Sequence, residues 1–196
     1  MNSLMRVKFI FIFFLLLCFP LSACGSSSIT ITVLDSETKE PIEGAVAVVF
    51  WNQTKGVPGM TRTETVKIVE IVSNKDGKFA IPAVSVPIFA DKPHLKVYKS
   101  GYVGWNNIEI YQGHYGDDTS TVKTSKRIGF KWRNQSIYLE RFRSNYSYLS
   151  HRHFLSVPFP TSYKSGGEGL YKKATMYEIP FRQKEKSQSS KTRQGK

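Results

Sequence analysis

Past residue 24 the chain has no cysteine; the two present, Cys18 and Cys24, both fall in the first 24 of 196 residues. That scarcity excludes a disulfide framework or a Cys-based metal site in the body of the protein. Long hydrophobic runs are also missing. The longest, Phe9 to Phe19, is 11 residues, too short for a hydrocarbon core that takes about 20, so a multispan architecture is excluded. Histidine is sparse at four residues (His94, His114, His151 and His153), none in a His-x-x-Glu zinc pair. There is no Gly-x-Ser-x-Gly elbow and no phosphate-cradling Gly-rich loop. Acids are few as well: Lys+Arg number 28 against Asp+Glu 15, a net charge of +13 that calls for an anionic neighbour. With 40% hydrophobic and 22% charged residues, wholesale disorder and collagen are excluded.

The N-terminus reads as an address. Arg6 and Lys8 precede the apolar run, and Pro20 ends any helix there. Leu21-Ser22-Ala23-Cys24-Gly25 follows, which resembles the lipobox of bacterial lipoproteins; an ordinary secretory signal with a coincidental cysteine is the alternative. The resemblance implies diacylglyceryl on the Cys24 sulfur, cleavage before Cys24 and acylation of the new terminus. Residues 1–23 would then be signal peptide and residues 24–28 a lipidated tether. Gly25 stands where an Asp resembles an inner-membrane retention signal, which favours the outer membrane.

Charge divides what remains. Residues 24–122 hold nine basic and eleven acidic residues, and residues 123–196 hold seventeen and four. The basicity belongs to the C-terminal part. Before it, the pattern is strand-like: Ile29 to Val33 alternates apolar and hydroxylated residues, and Ala45 to Trp51 is apolar on both faces, as in a central strand. Glu64 to Ser73 is expected as a third strand, with Val66 and Ile68 on one face and Val69 and Ile71 on the other. Asn74-Lys75-Asp76-Gly77 signals a hairpin whose return strand is Lys78 to Ile81. His94 to Tyr98 follows, with Ile128 to Trp132 and Ser136 to Phe142 as closing strands; Asn52 to Gly59 reads as a loop. No convincing amphipathic helix is found.

Three segments carry a family resemblance. Asp35…Thr38-Lys39-Glu40-Pro41-Ile42-Glu43-Gly44-Ala45-Val46, Asn74-Lys75-Asp76-Gly77-Lys78-Phe79 and Leu95-Lys96-Val97-Tyr98-Lys99-Ser100-Gly101-Tyr102 resemble, in order, the motifs of carboxypeptidase regulatory-like domains. The resemblance implies an all-β, seven-stranded Greek-key β-sandwich of the transthyretin-like (prealbumin-like) kind over residues 29–145. It implies no reaction. Residues 146–182 are expected as an irregular basic and aromatic extension and residues 183–196 as a disordered basic tail. Hydroxyisourate hydrolases share the architecture, but their C-terminal Tyr-Arg-Gly-Ser is absent here.

No enzyme, cofactor, metal site or nucleic-acid partner is therefore expected. His151 and His153 lack further ligands, and Asp117-Asp118 supplies too few oxygens for calcium. The expected function is that of a lipid-anchored envelope module for binding or assembly. Its partners would be the membrane through Cys24 and an anionic polymer, lipid headgroups or another envelope protein. The cations expected to serve are Arg141, Arg143, Arg152, Lys172 and Lys173. The alternative is a carbohydrate-binding module in which Trp51, Trp105, Tyr111 and Tyr115 offer stacking platforms. The long loops Asn52 to Arg62 and Tyr102 to Lys126 are candidate gripping elements. The plainer reading of the extension packs its aromatics on the sandwich and leaves its cations in water.

Overall fold

A computed structural model describes residues 28–116, 121–133, 135–158 and 169–194. The leader, Cys24, Asp117-Asp118 and the Pro160 to Gly167 stretch lie outside the described residues. The strands are β1 (Ile29–Asp35), β2 (Val46–Val57), β3 (Met60–Val72), β4 (Lys78–Ile81), β5 (His94–Tyr98), β6 (Trp105–Asn106), β7 (Glu109–Tyr115), β8 (Val122–Lys126) and β9 (Gln135–Leu139). Three helices follow, α1 (Tyr148–Leu155), α2 (Leu170–Thr175) and α3 (Ile179–Gln194), with a 3-10 turn at Met176–Glu178 before the last.

The protein is mostly β. One sheet has the order β4-β1-β9, a second β3-β2-β5-β6, and β7-β8 forms a two-stranded third. The first two face each other as a sandwich. Ile31, Val33, Phe79, Ile81, Ile137 and Leu139 of one meet Ala47, Val49, Trp51, Leu95 and Val97 of the other, all buried. β2 explains the architecture best. Its inward residues fill that core, while Val46, Val48 and Phe50 face the other way and are buried too. An apolar strand of this kind must be covered on both sides, and the C-terminal helices supply the second cover.

Gly77 turns the chain from one sheet to the other. Its φ is 69°, and a Cβ there would sit 2.4 Å from the Val33 carbonyl oxygen. Gly44 and Gly101 likewise take positive φ, as their motifs imply. The Asn74–Gly77 turn is not a hairpin, however. β4 pairs with β1 in the opposite sheet, because Phe79 and Ile81 must enter the core that β3 only edges.

Other expectations are corrected. Asn52 to Gly59 is not a loop: β2 and β3 pair continuously to Val57↔Met60, forming a ribbon that projects past β5. Both faces of its outer half are exposed, so no apolar alternation marks it. A bulge opposite Trp51/Asn52 leaves Val66 as the extra residue on β3 and turns it to the core with Val69 and Ile71, away from Ile68. Ile128 to Trp132 forms no strand; Phe130 packs edge-on against Trp105 and Trp132 from an irregular segment. The stretch from Tyr102 to Lys126 carries β6, β7 and β8. Most of the described extension and tail is helical, with Ser156 to Pro158 irregular.

Candidate functional site

The helical cap docks on the outer face of the four-stranded sheet. Leu155 of α1 and Tyr171 of α2 close over Val46, Val48, Phe50 and Tyr98. This apolar layer is thin, and carboxylates pin the rest. Glu70 of β3 accepts the N–H groups of Leu170 (3.1 Å) and Tyr171 (2.9 Å), capping α2 from the sandwich. Glu185 of α3 accepts from the Ser147 hydroxyl (2.6 Å) and the Leu149 N–H (3.1 Å) at the start of α1. Lys96 of β5 donates to the carbonyls of Phe154 (2.6 Å) and Ser156 (2.7 Å) at the other end of that helix, and burial pulls its pKa down to about 8.

The central pin is buried outright. Glu178 Oε1 lies 2.8 Å from His151 Nδ1 and 3.0 Å from the Tyr98 hydroxyl. The Gly104 N–H can only donate, and it donates to His151 Nε2 at 2.8 Å. The imidazole proton therefore sits on Nδ1 and points at Glu178. Both ring nitrogens are occupied, so His151 has no lone pair free to act as a base. Gly104 also admits the helix: a Cβ there would lie 2.3 Å from Leu155 Cδ2. Burial, then the Glu178 charge, pushes the Tyr98 hydroxyl above its ordinary pKa, so it stays a donor.

Beside this pin lies a cavity of about 300 Å³ where α1, α2 and α3 converge. Arg152, Lys172 and Arg182 bring positive charge to it; Leu155, Val157, Met176 and Ile179 give apolar wall; Tyr171 and Glu178 also line it. Three buried polar atoms there have no protein hydrogen-bond partner: Tyr171 Oη, Glu178 Oε2 and Arg182 Nε. A buried donor or acceptor left unmatched costs about 1–3 kcal/mol. Burial lowers the Arg182 pKa, and the neighbouring Arg152 charge lowers it further. The Glu178 carboxylate opposes both effects.

The expected site residues divide clearly. Arg152 and Lys172 line the cavity, and Lys173 does not. Arg141 is bound to Asp35 (3.0 Å), which also accepts the N–H groups of Glu37 (2.8 Å) and Thr38 (3.1 Å) and the Tyr102 hydroxyl (2.9 Å). Those two N–H groups above all hold the Asp35 pKa down at about 2. Arg143 pairs with Glu140 at 2.6 Å. The sugar platforms are corrected. Trp51, Trp105 and Tyr111 are buried, because the core and the α1 junction need their area. Tyr115 is half-buried against the His153 ring. His151 is fully buried on Glu178, whereas His153 is exposed. The extension does pack its aromatics: Phe142, Tyr148 and Phe181 stack in series at 4.2 and 4.8 Å. Sequence reasoning missed Tyr98, Glu178 and Arg182 as members of the site. The one available signal was that Glu178 is among only four acids after residue 122.

No family model and no curated protein matches this chain. Among solved structures it is similar to the shaft pilin SpaA of Lactobacillus rhamnosus GG at 17% identity, over 58% of this chain and 49% of that one, TM-score 0.28. It is similar to the major plantain pollen allergen Pla l 1 at 13% identity, over 59% and 94%, TM-score 0.29. A 9R-lipoxygenase from Cyanothece PCC8801 is similar at 16% identity, over 61% and 16%, TM-score 0.24. The chain spans about half the length of the pilin. Likenesses this distant assign neither family nor function, and the reading rests on the chain's own residues.

Proposed function

We propose that this chain is a non-enzymatic, lipid-anchored module of the bacterial cell envelope. Acyl chains on Cys24 hold it at a membrane, the outer membrane by the Gly25 criterion. A carboxypeptidase regulatory-like sandwich, seven-stranded and Greek-key, forms its body. The basic helical cap binds an anionic envelope component such as a phosphorylated polymer or headgroup. The observation that carries this reading is the cavity. Arg152, Lys172 and Arg182 line it, and three of its lining residues, Tyr171, Glu178 and Arg182, each have a buried polar atom without a partner. A phosphate or carboxylate suits the arginines.

Two measurements test it. Labelled palmitate is expected to enter the wild type and not Cys24→Ala; continued labelling of the variant removes Cys24 as the anchor. Cosedimentation with anionic vesicles or purified cell wall is expected to fall as salt rises, because charges at an open site are screened beyond roughly 8 Å at physiological ionic strength. Arg152→Ala with Lys172→Ala is expected to abolish that salt-sensitive part. Binding indifferent to salt, or unchanged in the double variant, contradicts the proposal.

A further inference from the structure

The strand directions give the sandwich two distinct ends. At one end Ile42 donates to the Val33 carbonyl, Ala45 N–H meets Ser73 Oγ, and Val33 N–H meets the Gly77 carbonyl, so the loops 36–45 and 73–77 cluster there. The opposite end is where β1 begins. Ile29 pairs with Ile81, the last residue of β4, and Ile31 with Gln135, the first of the parallel β9. Asp91 donates to the Asn52 carbonyl at 2.7 Å, which brings the 82–93 loop beside the root of the β2–β3 ribbon. The ribbon turn, the 82–93 loop and the 127–133 segment therefore all lie at the end where β1 begins.

That end carries the most exposed apolar side chains among the described residues. Val57 is 63% exposed, Met60 79%, Ile88 94%, Phe89 80% and Ile128 88%; no other large hydrophobic described exceeds 50%. Ile88 and Phe89 form the tip of a turn closed by Ala90 N–H on the Pro87 carbonyl (3.0 Å), so the backbone holds both outward. Lys55 and Arg62 flank the ribbon turn in sequence, both paired with Glu64, and Lys92 and Lys131 follow Phe89 and Ile128 by three residues. Apolar tips with cations close by in the chain are the composition of a surface that seats at the headgroup boundary.

We infer that this end of the sandwich docks into the lipid bilayer, with Met60, Ile88, Phe89 and Ile128 entering the boundary between headgroups and acyl chains. The inference rests on the lipid-anchored reading and adds an orientation to it. Only five residues, Cys24 to Ser28, separate the acyl-bearing sulfur from β1. Fully extended they span roughly 17 Å at about 3.3–3.6 Å per residue, so the apolar end cannot stand far from the membrane that holds the anchor. The occupant is thus a bilayer, and the cavity lies on the flank of the sandwich, under the helical cap.

The test uses the mature acylated protein, in which the Cys24 thiol is consumed and Cys18 has gone with the leader. A single environment-sensitive fluorophore is placed by Met60→Cys, Ile88→Cys or Ile128→Cys, with Lys75→Cys at the other end as the reference. In phosphatidylethanolamine–phosphatidylglycerol vesicles containing brominated lipid, the first three are expected to be quenched severalfold and the reference not at all. Palmitate labelling with all four probes unquenched overturns the docking and leaves the anchor standing. Absence of palmitate label overturns the anchor and the docking with it. Probe self-quenching that depends on protein concentration and not on brominated lipid makes the end an interface between copies, and overturns the docking as well.

Discussion

The sandwich and its helical cap are held by different forces. Between the two sheets lies an apolar core. The cap meets the outer face through a thin apolar layer and fixed polar contacts: Glu70 to α2, Lys96 to the end of α1, and Tyr98 to Glu178. Apolar burial is non-directional and yields gradually when trimmed. A buried carboxylate with fixed partners has no such tolerance, because one atom exchanged leaves a donor or acceptor unmatched. The sandwich is therefore the frame, and the cap is the part whose docking is conditional. The binding cavity lies on the conditional side.

Breaking the frame should have the largest effect. Leu95→Ala empties a fully buried position and is expected to cost about 3 kcal/mol, within the 2–5 range for such truncations. Chemical denaturation should show sandwich and cap lost together. Glu178→Leu removes the acceptor shared by the His151 Nδ1–H and the Tyr98 hydroxyl, an expected cost of about 2 kcal/mol confined to the cap. Hydrogen exchange should quicken in α1 and α2 and stay unchanged in β1, β2 and β5. Equal acceleration everywhere would erase the distinction between the two regions. Glu70→Gln weakens the cap on α2 by about 1 kcal/mol, read as faster proteolysis at Lys172 or Lys173. The smallest effect emerges only in acid. Asp35 is held near 2 against an ordinary 3.8. Its contribution is full above the ordinary value and is lost as pH falls through that window toward 2. The acid limb of a stability–pH curve should flatten in Asp35→Asn.

The same division governs what the sequence makes legible. Ala45 to Trp51 announces a two-faced central strand, and Gly77 and Gly101 announce turns that need positive φ. Arg152 and Lys172 stood out as cations in an acid-poor stretch. The helices did not, because their buried faces mix polar with apolar residues: α1 buries Ser150 and His151 along with Phe154 and Leu155. Partners distant in the chain complete those faces. Tyr98 and Glu178 are 80 residues apart, and Glu70 and Leu170 are 100 apart, separations no local pattern records. The aromatics misled in the opposite direction. Trp105 and Tyr111 looked available in a long loop, whereas β6 and β7 fold them inward.

The most direct test of the functional account compares two charge reversals of equal size. Arg152→Glu with Lys172→Glu reverses the cavity, and Lys184→Glu with Lys186→Glu reverses two exposed cations on α3. Affinity for a phosphorylated wall polymer at physiological salt should vanish in the first variant and drop only modestly in the second. Equal losses in both would mean that diffuse charge, not the cavity, holds the ligand, and would contradict the account.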